Sequence, residues 1–291
     1  MRVVIATDHP DSPVDQIMRA VAEAIKDQHE VEVVDRLSLG KADLDGAHVH
    51  LGMPARFSQE LPCTVSLNVW SVPIDKAAGY QKQLRELDPI GIVVDDLVTS
   101  QILGQLGFSG LRAAPLFIPN PSSFQPLPPP EGPFTVGVFG NDYASKRFKV
   151  VEEACKIAGV RYFPVIQEPG RKHYYLDPLR DVYPHIHALA HASFTDTNSM
   201  PCMEALLCGR PVLSTWNTGM DRLTGDQANG IFFHDGYPEN LAFMIGELQK
   251  TYEMSCREVE DSRPKITMLE GVAAFCYQSF FKHLEEKLNE D

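Results

Sequence analysis

The chain has 291 residues, of which 44% are hydrophobic and 22% charged, a composition typical of a globular protein large enough for two domains. Its formal net charge of −13, with acid in excess in both halves, argues against a protein that binds nucleic acid through broad contact with phosphates. No apolar run approaches the roughly 18 residues of a membrane span, and the apolar start is too short for a signal peptide, so we expect a cytoplasmic protein.

The first part of the chain alternates between strand and helix patterns. The predicted strands and helices, in chain order, cover residues 2–6, 13–26, 31–34, 47–51, 63–69, 75–87, 90–94, 97–106 and 114–118. Strand, helix and strand at this spacing form parallel βαβ units, whose ligands bind at the carboxyl ends of the strands. Residues 1–120 are therefore predicted to form one doubly wound α/β domain.

A proline-rich segment at residues 121–133 separates this domain from the next and is predicted to be a semi-rigid linker. The strand and helix alternation then restarts. The predicted elements cover residues 134–139, 146–158, 161–166, 177–190 (mostly helical), 192–195, 211–214, 230–233, 238–248, 253–261 and 266–288. Residues 134–265 are thus predicted to be a second Rossmann-like domain, facing the first across a cleft, and residues 266–291 a C-terminal helix packing back on the first domain.

Residues 192–215 carry the most specific pattern in the chain. They are predicted to form a buried strand, a polar loop with Asp196, a helix begun by Pro201 and stopped by Gly209, and a further strand. The start of a helix attracts anions, and nearby carboxylates accept hydrogen bonds from sugar hydroxyls. Asp196 and Glu204, with seven residues between them, therefore predict a site for a nucleotide-sugar.

The same stretch resembles GT-B glycosyltransferases, specifically the retaining lineage that includes glycogen synthase and sucrose synthase. The matching positions are Ser193, Asp196, Glu204-Ala205, Cys208-Gly209 and Pro211-Val212. Weaker matches in the same order lie at residues 92–103, 118–126, 136–146 and 229–241, so that the resemblance covers nearly all of residues 90–250. Asp196 stands where the lineage usually has Glu, and Asn141 where many members have Arg.

The resemblance implies an enzyme that moves a sugar from a nucleoside-diphosphate-sugar donor to a hydroxyl acceptor with retention of anomeric configuration. It implies no metal and no cofactor besides the nucleotide-sugar co-substrate. It gives Lys146 and Asp196 as catalytic residues, to which His9 is added from its own position, in the loop at the carboxyl end of the first strand, where it could meet the acceptor. The donor would be bound by Gly140, Asn141, Lys146, Arg147, Asp196, Asn198, Ser199, Met200 and Glu204.

The acceptor side is predicted from positions at the ends of strands in the first half: Asp8, His9, His50, Asn68 and Trp70. His48 and His50 share one face of a strand, a spacing compatible with metal binding, but no third ligand is near in sequence and packing is favoured. The six cysteines, without a C-x-x-C pair, indicate reduced thiols rather than a zinc site. His185, His187 and His191 are expected to pack or cap.

Two other functions fit the sequence. The short first domain is compatible with a phage-type glycosyltransferase acting on hydroxylated bases of modified DNA, although the acidic charge counts against it. The departures at Asp196 and Asn141, with the absence of a Gly-Gly loop after the first strand, fit a catalytically idle protein that binds a nucleotide-sugar or a protein partner. A nucleotide-sugar epimerase on the same fold would need more carboxylates and histidines.

Overall fold

The computed structural model describes residues 1–7, 12–35, 38–52, 61, 63–69, 77–95, 97–141, 144–167, 178–194, 196, 199–218, 220 and 230–290. Predicted site residues Asp8, His9, Trp70 and Asn198 lie outside these ranges. The chain divides into two units, one comprising Met1–Pro119 with Leu269–Asp291 and the other Asn120–Met268. No helix in the described ranges is both long enough and apolar enough to cross a membrane.

The first unit is built on a six-stranded parallel sheet. Its strands are β1 (Arg2–Thr7), β2 (Glu30–Asp35), β3 (Ala47–Leu51), β4 (Thr64–Val69), β5 (Gly91–Val94) and β6 (Leu111–Ala113), in the order β2-β1-β3-β4-β5-β6. Its helices include α1 (Pro13–Ile25), α2 (Ala77–Leu87) and α3 (Leu97–Gln105). The start of α1 is fixed locally, because the Ser12 side chain accepts a hydrogen bond from the Asp15 amide at 3.1 Å.

The last strand of this sheet differs from the prediction. The prediction of a strand at residues 114–118 is wrong, because β6 ends at Ala113. Phe117 and Ile118 are nevertheless buried. Ala114 still donates its amide to the Val94 carbonyl at 2.8 Å, but the next residue is Pro115. Since proline has no amide hydrogen, the hydrogen-bonded ladder cannot continue through it.

The second unit contains a five-stranded parallel sheet. Its strands are β7 (Thr135–Asn141), β8 (Arg161–Gln167), β9 (Ala188–His191), β10 (Val212–Thr215) and β11 (Ile231–His234), in the order β11-β10-β9-β7-β8. Its helices include α4 (Phe148–Ala158), α5 (Pro178–Asp181), α6 (Met200–Leu207) and α7 (Pro238–Lys250). The chain leaves β7 for β8 on one side and returns to β9 on the other, so the strand order reverses between β7 and β9. Such a reversal opens a crevice at the carboxyl ends of the two strands.

The proline-rich segment 121–133 belongs to this second unit. Arg210, which is buried, donates hydrogen bonds to the carbonyls of Leu127 at 3.1 Å and Pro128 at 2.6 Å. The Leu127 amide donates in turn to the Cys208 carbonyl at 3.1 Å. These contacts hold the segment against the end of α6.

The helix predicted over residues 177–190 is wrong. The structure has only the single turn of α5, a 3-10 turn at Tyr183–His185 and then the buried strand β9. Pro184 lies inside the predicted helix and interrupts it. The short apolar run that follows fits a buried strand as well as a helix, because periodicity alone does not separate the two.

The two helices predicted at residues 253–261 and 266–288 are one helix, α8 (Tyr252–Glu290), with Pro264 inside it. Its last turns pack into the first unit through Tyr277, Phe280, Phe281 and Leu284, all buried. A Cβ on Gly91 of β5 would lie 2.9 Å from the Phe280 ring, which explains the glycine there. The apolar contacts on both sides of Pro264 outweigh the one backbone hydrogen bond that proline removes.

Candidate active site

A cluster of three side chains lies at the carboxyl ends of β7 and β9, where the strand order reverses. Lys146 closes the 3-10 turn that follows β7, His191 is the last residue of β9, and Asp196 follows in the next loop. The Lys146 ammonium forms an ion pair with Asp196 Oδ2, and His191 Nε2 lies 2.6 Å from the same oxygen. The predicted site residues Lys146 and Asp196 are thus brought together in space.

The cluster keeps the Asp196 carboxyl ionised. Burial by itself would raise the pKa of Asp196, but the hydrogen bond from His191 and the charges of His191 and Lys146 outweigh it and lower the pKa to about 2. At neutral pH the site therefore presents a carboxylate beside an ammonium group, each able to exchange its partner for a polar ligand.

Local backbone contacts fix the turn that carries Lys146. Gly140 at the end of β7 has a φ of +142°, which favours glycine and redirects the chain. The Ser145 carbonyl accepts hydrogen bonds from the Phe194 amide at 3.0 Å and the Ser193 hydroxyl at 3.2 Å. The loop that bears Asp196 is therefore tied to the turn that bears Lys146.

The helix after β7 begins later than predicted. The predicted start at Lys146 is wrong, because α4 starts at Phe148. Arg147, the residue before it, has a left-handed φ of 52°. The Arg147 guanidinium donates to the Gly236 carbonyl at 2.8 Å and lies 4.2 Å above the Phe194 ring. These contacts commit Arg147 to holding two loops of the carboxyl edge together.

Glu204 lies on α6, the helix that follows Asp196 along the chain. It is the fifth residue of the helix and lies beyond the first turn, so the helix dipole does not account for it. Ser199, buried at the N-cap position, and Met200, the first helical residue, lie before it. The helix starts one residue before Pro201, which occupies the second position, where proline costs no intrahelical hydrogen bond.

The Glu204 carboxyl is buried and shares a hydrogen bond with Tyr183. The Tyr183 hydroxyl donates to Glu204 Oε2 at 2.6 Å and also lies 3.1 Å from the Pro201 carbonyl. Burial raises the pKa of Glu204 to about 7, against the opposing effect of the Tyr183 hydrogen bond. The Glu204 carboxyl is therefore protonated at higher pH than an ordinary glutamate.

The described acceptor-side residues His50 and Asn68 are buried in the first unit and present no surface to an acceptor. His50 Nδ1 lies 2.8 Å from Ser66 Oγ, and its ring contacts Phe281 of α8 with centroids 5.2 Å apart. Burial lowers the pKa of His50 to about 3, so its imidazole is neutral. Within the described ranges no group of three His, Cys, Asp or Glu side chains is arranged to hold a metal ion.

Two residues of the site were not identified from the sequence. His191, expected from the sequence to pack or cap, is buried and in addition contacts Asp196 through Nε2. His191 is a polar residue at the end of a strand, five residues before Asp196. Because ligands bind at the carboxyl ends of parallel strands, this position could have indicated a site residue. The pairing of Tyr183 with Glu204, 21 residues apart, left no local sequence signal.

No protein-family model and no curated protein sequence matches the chain. Solved structures do match it over nearly its whole length. Sucrose-phosphate synthase from Thermosynechococcus elongatus has a TM-score of 0.73 at 12% identity and covers 100% of both chains. Anabaena HepE in complex with UDP-glucose has a TM-score of 0.70 at 12% identity, with 98% of this chain and 100% of that chain covered. A glycosyltransferase from Rickettsia africae has a TM-score of 0.65 at 13% identity, covering 97% and 99%. With its two parallel α/β units, the chain therefore has the GT-B fold.

Proposed function

We propose that the chain is a retaining glycosyltransferase that takes its sugar from a nucleoside-diphosphate-sugar. The observation that carries this proposal is the contact of Lys146, Asp196 and His191 at the carboxyl ends of β7 and β9. An ammonium and a carboxylate side by side match a ligand that presents phosphate oxygens next to sugar hydroxyls. HepE, which shares the fold, is solved with UDP-glucose bound.

Lys146 binds the donor diphosphate in this proposal. Its ammonium exchanges Asp196 for a phosphate oxygen and stabilises the negative charge that grows on the diphosphate as the glycosidic bond breaks. Gly140 and Asn141 at the end of β7, with the amides of Ser199 and Met200 at the start of α6, would complete the phosphate site. Arg147 contributes by holding the loops in place.

Asp196 accepts hydrogen bonds from hydroxyls of the donor sugar. When Lys146 turns to the phosphate, one of the bonds to Asp196 Oδ2 is released and a sugar hydroxyl replaces it. His191 keeps its own contact with that oxygen and so preserves the direction of the short aspartate side chain. Glu204, on the next helix, accepts from the ribose hydroxyls of the nucleotide.

The reaction proceeds on one face of the sugar. The acceptor hydroxyl attacks from the side that the diphosphate leaves, its proton passes to the departing phosphate oxygen, and the anomeric configuration is retained. No side chain forms a covalent intermediate, and no metal is needed because Lys146 and the helix start supply the positive charge. Two parts of the proposal come from the sequence alone. The acceptor is bound by Asp8, His9 and Trp70, and the protein acts in the cytoplasm.

The test is cleavage of UDP-glucose by the purified protein, followed as release of UDP with water as the acceptor. We expect Lys146→Ala to lower the rate by about 10²–10³-fold, the usual effect of removing one charge-stabilising donor. Lys149→Ala is the matched control, because Lys149 is an exposed lysine of α4 close in sequence, and it should leave the rate unchanged. Tight binding of UDP-glucose without any turnover would identify an idle binding protein and refute the enzyme.

Retention is tested in the same reaction without knowledge of the natural acceptor. Proton NMR of the first glucose released from UDP-α-glucose distinguishes the two anomers before they equilibrate. The proposal requires the α anomer to be released first. Release of the β anomer would contradict the retaining mechanism while leaving the donor site intact.

A further inference from the structure

The carboxyl edge of the second sheet carries exposed aromatic side chains. Phe194 follows β9, Trp216 follows β10 and Tyr237 follows β11, and each is more than half exposed. They are three of the five phenylalanine, tyrosine and tryptophan side chains that are exposed in the described ranges. Since a gathering of exposed large apolar side chains marks a binding surface, we expect this edge to meet a ligand.

Of these three side chains, Trp216 combines an open ring with a position next to the strand that leads to Asp196. The Phe194 ring already contacts the Arg147 guanidinium, 4.2 Å from its centroid. Tyr237 follows the edge strand β11, and β10 lies between β11 and β9 in the sheet. Trp216 is therefore the aromatic side chain best placed to meet a sugar that binds at Asp196.

Hydrogen bonds tie the turn that carries Trp216 to the loop that carries Asp196. The Thr215 hydroxyl, at the end of β10, donates to the Ser193 carbonyl at 2.6 Å, and Ser193 lies three residues before Asp196. Trp216 opens the 3-10 turn that follows, in which the Thr218 hydroxyl donates to the Thr215 carbonyl at 2.8 Å. The indole is thus held at a defined place beside the site carboxylate.

One face of the Trp216 indole is covered and the other is open. The ring stacks on Phe233 of β11, with centroids 4.1 Å apart and planes 12° from parallel. The side chain is nevertheless 62% exposed, so the face away from Phe233 is open to solvent. A ring that is already packed on one face loses little conformational freedom when a ligand stacks on the other.

A pyranose ring needs both kinds of contact that this edge offers. Its hydroxyls project around the rim, while its faces present C–H groups of slight positive charge, which the negative face of an aromatic ring attracts. We infer that Trp216 stacks on the sugar that is transferred, while Asp196 accepts hydrogen bonds at the rim of the same sugar. Trp216 is then a residue that determines specificity for a pyranose donor. This inference rests on the proposed function.

The test compares UDP-glucose with UDP, because only UDP-glucose carries the sugar. In calorimetric titrations, Trp216→Leu should weaken the binding of UDP-glucose about 3-fold to 10-fold, the range expected for the loss of one aromatic contact, with the affinity for UDP unchanged. Trp216→Phe keeps an aromatic ring and should retain most of the affinity for UDP-glucose. Both variants keep an apolar side chain over Phe233, so a purely structural role of Trp216 would affect them alike.

Tryptophan fluorescence provides a second readout, because Trp216 and Trp70 are the two tryptophans of the chain. UDP-glucose should shift the emission of the wild type to shorter wavelength as the indole is covered, whereas UDP should not. Trp216→Phe should lose this shift. Phe243→Leu is the matched control, since Phe243 is exposed in the second turn of α7 rather than at the end of a strand, and it should behave like the wild type.

The outcomes separate this inference from the proposed function. If Trp216→Leu binds both ligands as the wild type does, or loses affinity for UDP and UDP-glucose equally, the inference is overturned and the donor site remains. If the wild type binds neither UDP-glucose nor UDP, the proposed donor is refuted together with the inference. Unchanged thermal unfolding of the variants serves as the folding control.

Discussion

Donor binding should depend on pH through Glu204, if this carboxylate accepts hydrogen bonds from the nucleotide ribose. Burial raises the pKa of Glu204 to about 7, so the acceptor form of the side chain is lost as the pH falls below that value. Each pH unit below 7 then reduces the affinity for UDP-glucose by up to about tenfold, or roughly 1.4 kcal/mol. Above pH 7 the affinity should reach a plateau.

Calorimetric titration of UDP-glucose between about pH 5.5 and pH 8.5 measures this dependence, since the diphosphate diester of the ligand does not titrate in that range. Glu204→Gln removes the titrating group and should flatten the profile. The Tyr183 hydroxyl donates to Glu204 at 2.6 Å, and this hydrogen bond lowers the pKa of Glu204. Tyr183→Phe removes it, so the inflection of the binding profile should move to higher pH. A wild-type profile that is flat between pH 6 and pH 8, or one that Glu204→Gln reproduces, would refute this reasoning.

The same shift in the pKa of Glu204 acts on stability in the opposite direction. The folded state favours the protonated carboxyl, so this contribution to stability is complete below 4.5, the ordinary pKa of a glutamate side chain, and is lost as the pH rises through about 7. The loss amounts to at most about 3 kcal/mol at pH 8. Glu204→Gln should therefore raise Tm at pH 8 and weaken donor binding. A gain in stability with a loss of activity is expected when a functional residue is replaced.

Three further predictions concern the framework of the two units. Burial lowers the pKa of His48 to about 4 and that of His50 to about 3, so stability present above about pH 6.5 is lost on acidification, by about 2 kcal/mol per histidine at pH 5. Glu204 acts in the opposite direction over this range, so the measurement uses Glu204→Gln, and a urea midpoint of that variant that is unchanged between pH 7 and pH 5 would contradict this. Arg210→Met leaves the carbonyls of Tyr183, Leu127 and Pro128 without their donor and should cost about 3–5 kcal/mol in urea unfolding, whereas a loss below about 1 kcal/mol would show that water replaces the guanidinium. Gly91→Ala places a methyl group 2.9 Å from Phe280 and should cost about 1–3 kcal/mol, an effect that Phe280→Leu in the same chain should partly relieve.

The arrangement of the fold follows from regularities that extend over many residues. Short apolar segments alternate with amphipathic ones in both halves, and this pattern is typical of parallel βαβ units, whose crossovers are nearly always right-handed. The doubly wound prediction is confirmed by the two parallel sheets. The prediction failed where one proline decides the structure: Pro115 and Pro184 end elements that the apolar pattern would continue, while Pro264 lies inside a helix that packing maintains.

The candidate site was predictable from the sequence only in part, because some of its contacts depend on local details that topology does not specify. Lys146 and Asp196 follow neighbouring strands at the same edge of a parallel sheet, so their approach can be expected from topology. The contacts of His191 with Asp196 and of Tyr183 with Glu204 depend on side-chain directions at the ends of elements. Those directions are set by tertiary packing, which sequence periodicity does not specify.

The central claim is that Lys146, Asp196 and His191 form the donor site, and calorimetric titration of UDP-glucose into the wild type, Lys146→Ala and Lys149→Ala tests it most directly. Because hydrogen bonds to charged groups contribute about 1.5–3 kcal/mol, we predict that Lys146→Ala binds UDP-glucose about 10-fold to 100-fold more weakly than the wild type, with Lys149→Ala unchanged. Equal affinity of all three proteins for UDP-glucose, or no binding by the wild type to any nucleoside-diphosphate-sugar, would contradict the account.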